Sequence, residues 1–139
     1  MALLKFYVQR KNNRTPEERR ASLEFGKMGE QMAARFLMDK GYIILEYNYR
    51  RGHLEIDLIA QDGDELVIVE VKSRAYDNFL QPEEAVDHKK RLNLIRLANE
   101  YVKTHGRKEN VRFDIVSIFS NANGTEIKHL KNAYNVMSF

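Results

Sequence analysis

The 139-residue chain predicts an α/β fold, a mixed β-sheet flanked by helices in the order α-β-β-β-α-β-β. Three observations carry this. A capped amphipathic segment runs from Thr15 to about Lys40. Two runs rich in Ile, Leu and Val, Leu54–Gln61 and Leu66–Arg74, flank the tight-turn sequence Asp62-Gly63-Asp64-Glu65. A second helical segment then separates this hairpin from the strand-like run Val111–Phe119, which makes the third and fourth strands parallel neighbours joined by a crossover.

Residues 1–14 have no dependable helical or strand period and are read as a basic, mobile N-terminal arm, with residues 15–139 forming one domain. Thr15-Pro16-Glu17-Glu18 starts the first helix: Thr15 is the N-cap, Pro16 fills the first helical position and Glu18 completes a capping box. Phe25, Gly29, Met32, Ala33, Phe36 and Leu37 give its apolar face, with room for a bend near Gly26 and Gly29, and Gly41 closes it. Glu30 sits at the edge of that face. Helical glutamates are usually exposed, but flanking glycines favour close backbone approach to a neighbour.

Tyr42–Tyr49 is the first strand, followed by the basic turn Arg50-Arg51-Gly52-His53. The hairpin supplies strands two and three. Ala75–Gln81 is a loop, and Pro82-Glu83-Glu84 opens a second helix that reaches about Thr104 and ends at Gly106. Its buried stripe is Ala85, Leu92, Ile95, Ala98, Tyr101 and Val102. Val111–Phe119 is the fourth strand, Asn121-Ala122-Asn123-Gly124 a turn, and Thr125–Leu130 the last strand. The sequence gives no placement for Lys131–Phe139.

The hairpin holds the chemistry. With Gly63 and Asp64 central in a type II′ turn, counting sets Gln61 opposite Leu66 and Asp57 opposite Glu70. Strand alternation puts Glu70 and Lys72 on the same face as Asp57. Two opposed carboxylates repel, and a divalent cation removes the repulsion; oxygen ligands at this density suit Mg²⁺ or Mn²⁺. The plain alternative is that Lys72 neutralises Glu70 at the wet end of a strand. Against it, both strands are apolar on both faces away from these residues, and charges in helix-covered strands are expensive unless paired or metal-bound.

Composition narrows the classes. The absence of cysteine excludes disulfides, thiolate metal sites and cysteine nucleophiles. No apolar run approaches the roughly 18 residues of a membrane span, and residues 1–8 lack the order and length of a signal peptide, so a cytoplasmic protein is expected. Net charge is +3, from 23 basic and 20 acidic residues, with the basic residues clustered. Arg50, Arg51, Lys89, Lys90 and Arg91 are the candidates for phosphate contacts, although short charge runs are often only solvated. His53, His88, His105 and His129 lack a metal-like spacing.

Gly29-Glu30, Glu55-Ile56-Asp57-Leu58-Ile59-Ala60, Val69-Glu70-Val71-Lys72-Ser73-Arg74, Pro82-Glu83-Glu84-Ala85-Val86 and Arg112-Phe113-Asp114 together resemble the YraN family of bacterial proteins. That family in turn resembles the archaeal Holliday-junction resolvases of the PD-(D/E)XK nuclease superfamily. The resemblance covers about Gly26 to Phe119. Leu54 stands where these proteins commonly have Gly, and residues 1–24 extend beyond their usual start.

The resemblance implies a restriction-endonuclease-like core, a nuclease-like domain and Mg²⁺- or Mn²⁺-dependent cleavage of phosphodiesters in structured, branched DNA. It matches Asp57 and Glu70 to the metal-binding acids, Lys72 to the motif lysine, Glu30 to the helix glutamate of the resolvase site and Lys90 to a basic position of the second helix. In the resulting scheme Asp57, Glu70 and the Val71 carbonyl hold the metal, with Glu30 ligating through water or a second ion. Glu55 shares the face of Asp57 by the two-residue period, as a further ligand or a partner for Arg74, and the salt bridge is favoured because the superfamily pattern does not require the ligand. The resolvase likeness also implies a homodimer. Two other readings stay open: a non-catalytic nucleic-acid-binding module of the same fold, and an interaction protein in which the four residues form only an ion-pair cluster.

Overall fold

The computed structural model describes residues 15–75 and 88–135. Their elements are α1 (Pro16–Asp39), β1 (Ile43–Arg51), β2 (Leu54–Asp62), β3 (Glu65–Ala75), α2 (His88–Thr104), β4 (Asn110–Asn121) and β5 (Gly124–Tyr134). The N-terminal arm, the loop 76–81 and the Pro82-Glu83-Glu84 helix start lie outside the described residues.

The five strands stand side by side in chain order. All neighbours are antiparallel except β3 and β4, which run parallel, so the sheet is mixed, as the crossover requires. One face packs on α1 through Ala33, Ala34 and Leu37, which meet Leu58, Val67, Val69 and Val116. The other packs on α2, where Leu94, Leu97, Ala98 and Tyr101 meet Ile56, Ile59, Ile68 and Phe113. Strands covered on both faces explain the continuous apolar runs in the hairpin.

Helix ends follow their local chemistry. The Thr15 Oγ1 accepts from the Glu18 N–H at 3.1 Å while the Glu18 carboxylate accepts from the Thr15 N–H at 3.0 Å, a closed capping box. At the other end Gly41 adopts φ +95°, and the Tyr42 N–H reaches the Leu37 carbonyl at 3.0 Å, so carbonyls of the last turn are satisfied. Gly106, at φ +60°, closes α2 in the same way.

Several boundaries differ from the sequence reading. Helix α1 runs without interruption through both glycines. Tyr42 belongs to the helix cap rather than the first strand, and its buried hydroxyl accepts from Arg112 Nη2 at 2.7 Å. Strand β1 extends through Arg50 and Arg51, because a two-residue turn at Gly52 and His53 suffices to reverse the chain. In α2, Leu94 and Leu97 are buried whereas Leu92 is 39% exposed. Strand β5 continues four residues beyond Leu130. Asn132 adopts φ +51° and donates its N–H to Asp114 Oδ1, making a bulge that brings Tyr134 back to stack on Phe113.

Candidate functional site

The hairpin turn forms as counted, with Gly63 at φ +59°, and Gln61 faces Leu66. The ladder then stops at Leu58–Val69, one pair short of the expected Asp57–Glu70 contact. Asp57 takes the place of a backbone partner: its Oδ2 accepts from the Val71 N–H at 2.8 Å. Two residues apart on β2, Ile56 faces α2 and Leu58 faces α1, so side-chain alternation breaks at Asp57. Across the ladder, Tyr49 pairs with Ile56 and Tyr47 with Leu58, which sets Asn48 opposite Asp57. Asn48 has φ +52°, a left-handed conformation that asparagine tolerates better than most residues. The kink leaves Asp57 in the opening between two strands, where acids from both sides of the sheet approach it.

From the α1 side comes Glu30. Next to it, Gly29 lies so close to β3 that an added Cβ would fall 1.9 Å from Ser73 Oγ, which explains a glycine there; Gly26 meets nothing of the kind. One carboxylate oxygen each from Glu30, Glu55 and Asp57 lies within 4.8 Å of the others, a spacing suited to a hard divalent cation. The Asn48 side chain acts to lower the Glu30 carboxyl. Glu55 meets Arg50 Nη2 at 3.3 Å; the side chain of Arg74, its expected partner, lies outside the described residues. The two-residue spacing of Glu55 from Asp57 was the available signal for a third ligand.

From the α2 side comes Glu70, 4% exposed, with Lys72 Nζ at 3.0 Å and Lys90 Nζ also against its Oε1. Its Oε2 is buried without a hydrogen-bond partner. Glu55, Asp57 and Glu70 together with His53, Lys89, Lys90 and Asn93 line a cleft of about 330 Å³. His53 and Asn93 were not anticipated; a residue two turns into a helix gives no local sign of facing a strand end.

The electrostatics are asymmetric. Burial first, then the neighbouring Glu30 and Glu70, pushes the Asp57 carboxyl up to about 7 despite the Val71 hydrogen bond. Burial also raises Glu30, and Glu55 adds to the effect. Lys72 is lowered, by burial first and by Lys90 as well, although Glu70 opposes this. Burial pulls on Lys90 too, but the charge and hydrogen bonding of Glu70 outweigh it and leave Lys90 raised. Glu70 is thus served by two ammonium groups, while the Glu30–Glu55–Asp57 side is short of positive charge. Glu30, Glu55 and Asp57 are the residues that could hold a cation there.

The expected phosphate contacts divide. Lys89 and Lys90 border the cleft. Arg51 pairs with Glu100 at 3.0 Å and covers the Tyr49 ring, Arg50 pairs with Glu55, and Arg91 lies over the Tyr134 ring. The Val71 side chain packs on the α1 face while its N–H is engaged by Asp57.

Fold and site define a class: a helix-covered mixed sheet with a half-buried acidic cleft, served by two lysines, where a hairpin opens. Residues 29–118 match the model of the uncharacterised protein family UPF0102, and the chain belongs to that family, the YraN-type proteins it resembles. The match begins at Gly29-Glu30 and ends beside Phe119, so it contains every acid of the cleft. A UPF0102 protein of Bacteroides thetaiotaomicron is 43% identical over 111 residues, 80% of this chain and 92% of its own. One from Thermodesulfovibrio yellowstonii is 43% identical over 114 residues, covering 82% and 98%. A third, from Persephonella marina, is 44% identical over 112 residues, covering 80% and 93%. Among the described residues no helix is long and apolar enough to cross a membrane.

Proposed function

We propose that this protein is a divalent-metal-dependent nuclease that hydrolyses phosphodiesters in structured, branched DNA. The observation that carries the reading is the break in the β2–β3 ladder at Asp57, which gathers Glu30, Glu55 and Glu70 around one half-buried carboxylate with Lys72 beside it. A structural strand pair has no use for four acids in a helix-covered sheet, since each needs a counter-charge. The donor set, all carboxylate oxygen, suits Mg²⁺ or Mn²⁺, held by Asp57 with Glu30 and Glu55 on one side and Glu70 on the other. When bound, the cation would neutralise phosphate charge and acidify water.

The chain's own groups do the rest. Lys72, its ammonium lowered by burial, is placed to hold a water and donate a hydrogen bond to the developing oxyanion. Lys90 pairs with Glu70 and orients it. Lys89 and His53 at the cleft mouth are available to the flanking phosphates. A symmetric homodimer would supply two such clefts for paired cuts, and light scattering of the purified protein tests for it.

The deciding experiment offers labelled four-way junction, flap, duplex and single-stranded DNA to the wild type and to Glu70→Ala, in Mg²⁺, Mn²⁺ or EDTA. Metal-dependent cutting, lost in the variant, is the expected result. Salt-sensitive binding without cutting in any metal would overturn catalysis in favour of the non-catalytic nucleic-acid-binding module.

A further inference from the structure

The two lysines on Glu70 are not equivalent. Lys72 leaves β3 two residues from Glu70, and its side chain is 15% exposed. Lys90 comes from α2 and is 48% exposed, so a long flexible stem carries its ammonium group in from solvent. Both ammonium groups meet the same oxygen, Oε1, while Oε2 is buried without a hydrogen-bond partner. Two cations on one oxygen of a buried carboxylate repel each other, and a further positive charge beside them sharpens the conflict.

The charge balance of the cleft gives such a charge a consequence. Glu30, Glu55, Asp57 and Glu70, all ionised, outnumber the ion-paired Arg50, Lys72 and Lys90, so the cluster is net acidic. Loading with one divalent cation makes it net positive. Whichever oxygen of Glu70 is used, both ammonium groups then face the ion within one carboxylate's width. The group easier to release is the one already half in water. Lys90 lines the cleft together with Lys89 and His53, so its displaced ammonium group has only to swing on its own stem to face an incoming anion.

We propose that Lys90 is a placeholder cation: it pairs with Glu70 while no divalent ion is bound, and leaves that carboxylate to contact a nucleic-acid phosphate once one is. The assignment rests on the metal-dependent reading given above and adds an order of events to it. Metal comes first, and the phosphate site is complete only afterwards. Coupling between two ligands is reciprocal, so DNA held through Lys90 tightens metal binding by the same factor. Lys72, short of solvent and fixed to the strand, stays with Glu70 throughout.

Lysine footprinting follows the movement in the unsubstituted protein. Reductive methylation, read residue by residue in a mass spectrometer, is expected to label Lys90 several-fold faster in Mg²⁺ than in EDTA, with Lys89 unchanged, and four-way junction DNA should slow it again. Calorimetric titration gives a second readout: Lys90→Met should bind Mn²⁺ about fivefold or more tightly than wild type, the low end of ordinary coupling between sites. If Mn²⁺ binds the wild type with measurable heat but Mg²⁺ leaves the Lys90 labelling rate unchanged, the placeholder is overturned and the metal site stands. Failure of DNA to slow the labelling would remove the phosphate contact. Weaker Mn²⁺ binding by a folded Lys90→Met would also defeat the proposal, since Lys90 would then be orienting Glu70 for the ion. No Mn²⁺ heat from the wild type would remove the metal-dependent reading and this proposal together.

Discussion

Two clusters of buried charge occupy this sheet, and they are built on opposite rules. Around Asp114, every valence is used. Arg112 donates from all five guanidinium N–H groups, to Asp114 twice and to Asp62, Glu65 and Tyr42 once each. Asp114 also accepts from His129 Nε2 at 2.7 Å and from the Asn132 N–H at 3.0 Å. Burial by itself would raise the Asp114 carboxyl, but these donors hold it below the usual carboxylate range, and Asp62 is lowered chiefly by Arg112. Around Asp57 one N–H faces several acids, Glu70 Oε2 has no hydrogen-bond partner and Asp57 is pushed up to about 7. A satisfied network ties β2, β3, β4 and β5 to the end of α1; an unsatisfied one holds electrostatic strain that a cation would relieve.

Breaking the satisfied cluster should have the largest effect. Arg112→Met strands Asp114 in the interior and is expected to cost about 3–5 kcal/mol in urea unfolding, in the range for removing one partner of a buried pair. Next comes the wall of the cleft. Gly29→Ala would drive a methyl into Ser73 Oγ and is expected to cost about 1–3 kcal/mol, the usual range for overpacking. Since Ser73 Cβ stands 3.2 Å from the added atom, Ser73→Ala should recover only part of the loss, which a double-mutant cycle measures.

Asp57→Asn should move stability the other way. The folded carboxyl titrates near 7 against 3.8 for an unperturbed aspartate, so folding favours its protonated form. That contribution is complete below pH 4 and fades as pH rises through 7. Metal-free wild type should therefore lose stability between about pH 4 and 7, and Asp57→Asn should be more stable than wild type at pH 8 by about 1–2 kcal/mol, the full linkage value being discounted for solvent screening. Mg²⁺ should raise the wild-type melting temperature more at pH 8 than at pH 6, because the proton has already left. The variant should lose both effects in calorimetry.

How far the sequence made this contrast legible follows from which rules are local. Capping, turn geometry and strand alternation act within a few residues, so α1, the hairpin and the crossover to β4 could be read directly, as could Asp57, Glu70 and Lys72 as neighbours. The Asp57 break could not, because it depends on Asn48 adopting φ +52° on another strand. Arg112 and Asp114 were legible only as part of a family pattern; the side chains that complete them come from Tyr42, Asp62, Glu65 and His129, spread over most of the chain. Length hid the end of β5, since a bulge resets the period that would have extended it to Tyr134.

The smallest effect sharpens the comparison most. Arg50 and Glu55 form a mostly exposed pair on paired positions of β1 and β2, and such pairs contribute about 0–1 kcal/mol, so Arg50→Gln should barely alter unfolding. Its consequence for the acidic side is different in kind. The guanidinium is one of the positive charges that lower Glu30, and it occupies an oxygen of Glu55. Removing it deepens the local shortage of positive charge and frees a ligand. Mn²⁺ affinity measured by calorimetric titration should therefore rise a few-fold while stability stays level, whereas loss of affinity would mean that Arg50 positions Glu55 rather than competing for it.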